Sequence, residues 1–580
     1  MSGYRPPLEE ILFVVNSVLD YPAIAALPGY EEATPELAAA ILAEGARWCE
    51  ERLAPSNAAA DREGVRMQSE GVRVPDALAE LYGEFCAGGW PTLVGDPAYG
   101  GQGLPHLLGF AIDEMVQSAN LSFSLLPMLS SGVVTALKRF GSEAQKALYL
   151  PRLLTGQWSG TMNLTEAGAG SDLAAVVTRA EPRGDHYLLS GQKIFISWGD
   201  HQLTENIVHL VLARTPEAPP GVRGISLFIV PKYLHDETGA IGERNDVRAV
   251  SVEHKLGLHA SPTCVLSYGD QGGAVGYLVG EENQGLPYMF AMMNHARLEV
   301  GLQGVAVAER AYQQALMFAR ERRQGGTLIL RHPDVRRMLM TMRALAQGGR
   351  ALAYSAVAHW DHALHAPDAE VRQRHQRRVD LLTPLVKAWC TEIGNEVASL
   401  GIQVHGGMGY VEETGAAQYL RDVRVAAIYE GTNGIQAMDL VGRKLLRDGG
   451  EAVRELFADL EAELAPVMDG DLAALAQGAR RSLDDARRGV ELLLAGAGED
   501  PALPGSAAFN LLMSMGTAVA AVTLVRGARL TLAQSAAGPA LARVHTARFF
   551  VEQIAPRSGA WLQAVSSGAS ATMALADDHW

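Results

Sequence analysis

Five short stretches carry residue types that could do chemistry together. Glu430 stands between the apolar run Val425 to Tyr429 and the flexible Gly431-Thr432-Asn433-Gly434. Apolar surroundings disfavour a charged carboxylate and raise its pKa toward neutrality, which suits a general base. The adjacent glycine lets a substrate approach the backbone. Taken alone, the same glutamate reads as a surface carboxylate at a helix–loop junction. Residues 162–172, Met-Asn-Leu-Thr-Glu-Ala-Gly-Ala-Gly-Ser-Asp, can present N–H and hydroxyl groups to a polar ring edge or to phosphates. Phe195 and Ser197 are two apart and so share one face of a strand. The pair suits a planar, heteroatom-bearing cofactor, or equally an aromatic strand core. Arg322 and Gln324 close a long helical pattern, where they either complement the helix dipole or meet a pyrophosphate or ribose. Residues 403–409, Gln-Val-His-Gly-Gly-Met-Gly, form a glycine-rich helix stop in which His405 reads as a structural hydrogen-bonder.

The bulk properties narrow what these stretches can serve. A chain of 580 residues holds material for three or four domains. With 48% hydrophobic and 20% charged residues it is an ordinary soluble globular composition. A net charge of −16 argues against nonspecific nucleic-acid binding. The cysteines Cys49, Cys86, Cys264 and Cys390 are far apart, without a CxxC pair, and the histidines form no HExxH. The expectation is therefore free thiols in a reducing compartment and no metal site. The N-terminal residues lack the basic start and long apolar core of a secretory signal. Pro501 to Val525 is uncharged and long enough to cross a bilayer. Its Pro504, Asn510 and serines favour a buried bundle helix over a membrane span. A cytoplasmic protein is expected.

The positioning elements follow a helix–β–helix plan. Residues 1–160 read as mainly helical, opened by Thr34-Pro35 and interrupted by a Gly/Pro-rich loop at 87–105. In 161–285 the period becomes that of strands. His186 to Leu189 and Lys193 to Ile196 predict a hairpin around Ser190-Gly191-Gln192. Ile207 to Leu212, Ile225 to Val230, 262–268 and 274–279 predict further strands, and 232–250 a long irregular connection. Residues 286–445 return to helix, with patterns over Arg297 to Gln324, Asp334 to Leu364 and Val379 to Leu400. Pro384 falls near the predicted start of the last. Residues 446–580 predict a further helical region for packing or oligomer contacts. Four domains are expected: 1–160, 161–285, 286–445 and 446–580.

The motifs, in this order on this plan, resemble the acyl-CoA dehydrogenase family over residues 30–445. The carriers are TEAGAGSD at 165–172, KIFISWG at 193–199, HKLGLHASPT at 254–263, ERRQGG at 321–326, QVHGGMG at 403–409 and IYEGTNGIQ at 428–436. The N-terminal leader and long C-terminal region resemble the extended branch that includes 3-methylmercaptopropionyl-CoA dehydrogenases. The resemblance implies a mainly α fold with an inserted β domain: a helical N-terminal domain, a central β-barrel or sandwich, a C-terminal four-helix bundle and an added helical region. It implies FAD as cofactor and Glu430 as the base that removes the α-proton of an acyl-CoA. Leu164, Thr165, Gly170, Ser171, Phe195, Ser197, Arg322, Gln324, Gln403, Gly406, Gly407 and Thr432 match FAD contacts. Ser171, Arg297, Tyr429 and Gly431 match the substrate side. It further implies an electron-transfer flavoprotein as acceptor and a homo-oligomer, most simply a dimer. As substrate the resemblance implies a straight-chain acyl-CoA or 3-methylthiopropanoyl-CoA. An oxidase passing electrons to O₂ and a non-catalytic paralogue are the rival readings. The chain departs from the family pattern at Phe195 (often Trp), Gly325 (usually Phe), Asn294 (often Asp) and Gly434 (often polar).

Overall fold

The computed structural model describes residues 3–534 and 537–580. The chain divides into two compact units, one of Trp48–Leu104 and Ala119–Ala296, the other of Met1–Arg47, Pro105–Ser118 and Arg297–Trp580.

The unit that contains Ala119–Ala296 is built on an eight-stranded sheet. Its strands are β1 (Trp158–Asn163), β2 (Arg179–Arg183), β3 (His186–Ser197), β4 (Asn206–Ala213), β5 (Ser226–Pro231), β6 (Val247–Val252), β7 (Thr263–Tyr268) and β8 (Ala274–Leu278). They run in the order β6-β7-β3-β8-β5-β4-β1, with β2 on β3. Of these strand pairs β1–β4 is parallel and the others are antiparallel, and a single parallel bridge joins Arg179 of β2 to Arg214. Every residue of β1, β4 and β5 is buried. Burial on both faces explains why these runs are apolar without alternation. Leu189, Ile196, Val211, Phe228, Val230 and Leu266 share one core.

Two expectations are corrected here. No hairpin forms at Ser190-Gly191-Gln192, because the chain runs through it as the twelve-residue β3. Tyr187–Leu189 pair with β8, and Gly191–Ser197 pair with β7. Gly191 is therefore where β3 passes from one partner to the next. A Cβ there would stand 2.7 Å from the Thr178 hydroxyl, so close approach, not a turn, calls for glycine. Residues 232–250 are not irregular either. Tyr233–His235 and Ile241–Arg244 form a hairpin that leads into β6. Asp236 Oδ1 shapes its turn by accepting from the N–H groups of Thr238 and Ala240.

The other unit is helical. Helix α1 (Gly285–Glu321) enters it at Arg297, and α2 (Pro333–His365) and α3 (Ala369–His405) pack along each other. Helix α3 starts earlier than its apolar pattern does, because its first two turns are charged and mostly exposed. Pro384 thus lies inside the helix, not near its start. Short helices α4 (Ala416–Val423) and α5 (Asn433–Asp439) flank the Glu430 turn. Then come α6 (Glu451–Leu464), α7 (Ala473–Gly496), α8 (Leu503–Ala533) and α9 (Arg557–Ser566). Helix α8 packs against α2, α3, α5, α7 and α9, and 83% of its most apolar window is buried. Glycine at 516 lets it lie against Trp389, where a Cβ would come within 2.6 Å. Leu121–Phe140, in the sheet-containing unit, is the second helix long and apolar enough to cross a membrane, and 72% of its window is buried.

Buried charge ties segment 105–118 into the bundle. The Arg350 guanidinium donates to Glu114 at 2.5–3.0 Å and to Glu309 at 3.0 Å, and Tyr354 donates to Glu114 at 2.7 Å. Asp361 accepts from the N–H groups of His106 and Leu107 and from the Tyr30 hydroxyl. Each oxygen of Glu114 and Asp361 accepts at least one hydrogen bond, which is what makes such burial tolerable.

Candidate active site

The Glu430 turn connects a short 3₁₀ segment, Arg424–Ala427, to α5. Thr432 caps α5, its hydroxyl accepting from the Ile435 N–H at 3.2 Å. Glu430 adopts φ +56° and Gly431 φ +84°. A left-handed pair reverses the chain sharply, which an L-residue such as glutamate adopts only when its surroundings hold it. They do so through the Glu430 carbonyl. It accepts from Arg297 Nε at 3.3 Å and from Gln436 Nε2 at 3.3 Å. Gln436 also donates to the Gly431 carbonyl. Arg297 is only 5% exposed. The Tyr429 hydroxyl donates to the fully buried Gln303.

The acidic side chain itself is left available. Among the described residues nothing donates to the Glu430 carboxylate, and the Glu430 N–H donates to nothing. Burial pushes the carboxyl up to about 7, against the pull of the nearby Arg297 and Lys387 cations. Burial likewise drives the Tyr429 hydroxyl well above its ordinary value, with Glu430 adding to the shift. An open cavity of about 430 Å³ lies beside the turn, lined by Glu392, Asn395, Arg424, Ala427, Ile428, Thr432, Asn433, Gly434 and Phe509.

In the same unit, Arg322 and Gln324 stand exposed at the end of α1. Arg323–Gln324 and Thr327–Leu328 make a small hairpin whose two-residue turn is Gly325-Gly326, at φ +60° and +79°. Such a turn wants positive φ at both positions, which accounts for glycine at 325. Gln403, Gly406 and Gly407 sit at the far end of α3, all exposed. Gly406 has φ +61°, and a Cβ on either glycine would meet open space. The His405 ring lies 4.5 Å from the Phe318 ring, which brings this corner onto the end of α1 that carries Arg322 and Gln324. His405 Nδ1 bonds the Gly401 carbonyl, a structural role. The Glu430 turn and this corner share no hydrogen bond among the described residues.

The remaining candidates lie in the sheet-containing unit. Leu164 and Thr165 follow β1, and the Thr165 carbonyl accepts from the Ile194 N–H at 2.9 Å. At that point β3 carries a bulge, with Ile194 and Phe195 opposite Val265 alone. Phe195 has φ +58° and is 61% exposed, an unusual state for an aromatic on a strand. The bulge keeps Lys193, Ile196 and Trp198 inward while Phe195 and Ser197 stay on the more open side. Gly170 and Ser171 are exposed just beyond the Glu166–Ala169 bridge.

Several residues that shape these sites escaped sequence reasoning. Glu166 is buried beneath the 164–172 loop and accepts from Lys193 Nζ at 2.7 Å, from the Thr178 hydroxyl, and from the N–H groups of Val177 and Thr178. Lys193 Nζ also donates to the Leu164 carbonyl at 3.0 Å. Burial raises the Glu166 carboxyl, but Lys193 and these donors outweigh it and hold it below its usual range. Burial lowers the Lys193 ammonium to about 8. Around Glu430, the missed residues are Gln303, Lys387, Asn433 and Gln436. The one available signal was a charge inside an apolar run, as in Pro-Leu-Val-Lys387-Ala-Trp-Cys.

Four family models match the chain in sequence. They are "Acyl-CoA dehydrogenase, N-terminal domain" over residues 35–157, "Acyl-CoA dehydrogenase, middle domain" over 161–270, "Acyl-CoA dehydrogenase, C-terminal domain" over 283–446 and "Acetyl-CoA dehydrogenase C-terminal like" over 453–576. The chain is 48% identical to a 3-methylmercaptopropionyl-CoA dehydrogenase of Ruegeria pomeroyi, over 95% of this chain and 94% of that one. It is 35% identical to the broad-specificity linear acyl-CoA dehydrogenase FadE5 of Mycobacterium tuberculosis, over 80% and 78%. In fold it is similar to Caenorhabditis elegans ACDH-11, solved in complex with C11-CoA. That match has a TM-score of 0.79 and 20% identity and covers 98% of this chain and 95% of that one. The chain belongs to the acyl-CoA dehydrogenase family.

Proposed function

We propose that Glu430 takes the α-proton of an acyl-CoA thioester while the β-hydrogen leaves with its electron pair, giving the trans-2-enoyl-CoA. The chain is an acyl-CoA dehydrogenase. One observation carries the assignment of its base: Glu430 joins an unbonded carboxylate to an idle backbone N–H. A thioester α-proton is far too weakly acidic for a carboxylate acting alone. Charge that builds on the thioester oxygen must be met by donors in place beforehand. The Glu430 N–H is such a donor, with no competing acceptor among the described residues. Arg297, fixed on the Glu430 carbonyl, adds positive charge at the same turn. A carboxyl near 7 is partly ionised at neutral pH and still basic enough to hold the proton. Tyr429, Gly431 and Ser171 complete the substrate side of the proposal.

FAD is the cofactor, and when bound it supplies the acceptor for the β-hydrogen. The residues fit it. Phe195 and Ser197 offer a ring face and a hydroxyl from the bulge, and Leu164, Thr165, Gly170 and Ser171 belong to the loop bonded to that bulge. Gly406 and Gly407 leave open ground for a diphosphate, with Gln403, Arg322 and Gln324 around the same corner. Thr432 brings a hydroxyl next to the base. We further assign 1–160, 161–285, 286–445 and 446–580 as domains, and a cytoplasmic homodimer that passes electrons to an electron-transfer flavoprotein. The Ruegeria pomeroyi relative supports 3-methylthiopropanoyl-CoA as substrate.

Anaerobic flavin bleaching across a panel of this thioether and straight-chain acyl-CoAs tests the reading. The best substrate should bleach the flavin fully. Glu430→Gln should keep FAD and bleach slower by about 10³-fold. Bleaching of the variant at the wild-type rate would remove Glu430 as base. Peroxide formed in air would assign O₂ as the acceptor.

A further inference from the structure

Lysine is costly to bury, because its ammonium loses hydration that a single neutral partner does not restore. Lys387 lies in the middle of α3 and is 0% exposed. Its Nζ donates to Asn433 Oδ1 at 3.0 Å, and among the described residues no carboxylate is in ion-pair contact with it. Asn433 opens α5, three residues after Glu430. Its amide Nδ2 is held in turn by α3, donating to Glu392 Oε1 at 2.7 Å and to Thr391 Oγ1 at 3.0 Å. Both polar ends of Asn433 are thereby tied to one helix. The turn that carries Glu430 is anchored behind by Arg297 and Gln436 and ahead by Lys387.

We propose that Lys387 is a positioning residue for the base: through Asn433 it pins the turn after Glu430, and its buried ammonium is the countercharge of that carboxylate. The proposal rests on Glu430 being the base. Before reaction Glu430 is negative, with Arg297 and Lys387 positive. Once the α-proton has moved to Glu430, both cations remain, and they favour the negative charge then developing on the thioester. Arg297 stays charged throughout, whereas Lys387 can lose its proton. Burial lowers it to about 7, Glu430 and Glu392 hold it up, and Arg297 pushes it down. The other groups facing this cluster are Tyr429 on the base turn, with Asp422 behind it, and Asp439 and Arg443 beyond Arg297.

The test is the pH profile of anaerobic flavin reduction by acyl-CoA, from pH 5.5 to 9, on full-length FAD-loaded enzyme. Lys387→Met should keep flavin and move the ascending limb up by about one pH unit, which slows reduction about tenfold on that limb. Lys387→Arg should restore the limb. Asn433→Ala removes the acceptor of Lys387, so the ammonium gives up its proton more readily and the limb moves the same way. It carries the decision if Lys387→Met loses flavin. A limb that stays at the wild-type position in these variants, or an arginine variant as impaired as the methionine one, overturns the proposal. The Glu430→Gln result separates the two failures. If that variant is inert and the Lys387 limb unmoved, only the role of Lys387 falls. If Glu430→Gln still bleaches, the base assignment falls first.

Discussion

At the scale of the residue, Glu430 is legible in the sequence as a carboxylate between an apolar run and a glycine pair. What holds it is not legible. Arg297, Gln436 and Lys387 are 133, 6 and 43 positions away, and nothing local announces that they converge. Their effect has a definite sign in pH. Burial raises the folded-state carboxyl from 4.5 to about 7, so the folded state holds a proton there that the unfolded chain has released. The stability this contributes is fully present below about pH 4.5 and is lost as pH rises through about 7. Glu430→Gln has no such loss. Its stability relative to wild type should therefore rise by about 1–2 kcal/mol between pH 5 and 8, allowing for the solvent that reaches the half-buried carboxylate. Paired urea titrations at the two pH values measure this.

At the scale of the element, the order of helices and strands could be read from periodicity, but partnership could not. The spacing around Ser190-Gly191-Gln192 has every local mark of a hairpin. The chain goes straight because Tyr187–Leu189 and Gly191–Ser197 have different neighbours far away in sequence. The bulge at Ile194-Phe195 is hidden for the same reason, since it exists only against β7. The pair Lys193–Glu166 is what fixes the 164–172 loop to that bulge. Lys193→Met leaves Glu166 buried with one strong donor fewer. It should cost about 3–5 kcal/mol, and the holoenzyme should lose flavin more easily. Thermal unfolding and the 450 nm absorbance after desalting check the two parts.

At the scale of the whole molecule, the C-terminal region is no appendage to its unit. Helix α8 is buried against α2, α3, α5, α7 and α9 at once, and most of its apolar stretch is covered by protein. A side chain at Gly516 would collide with Trp389, whose indole N–H donates to Thr517. Gly516→Leu should destabilise the fold by about 1–3 kcal/mol by overpacking, read as a lowered denaturation midpoint. Stability also exposes a compromise at Glu430. Its φ of +56° is one that glycine takes freely and glutamate does not. Replacing the proposed base by Glu430→Gly should yield a firmer protein than Glu430→Ala, by about 1 kcal/mol in urea melts, with both variants expected to lose turnover. The position is one where selection for thermal robustness and selection for turnover pull toward different amino acids. A screen that rewards only folding should drift toward glycine there and discard the proposed base.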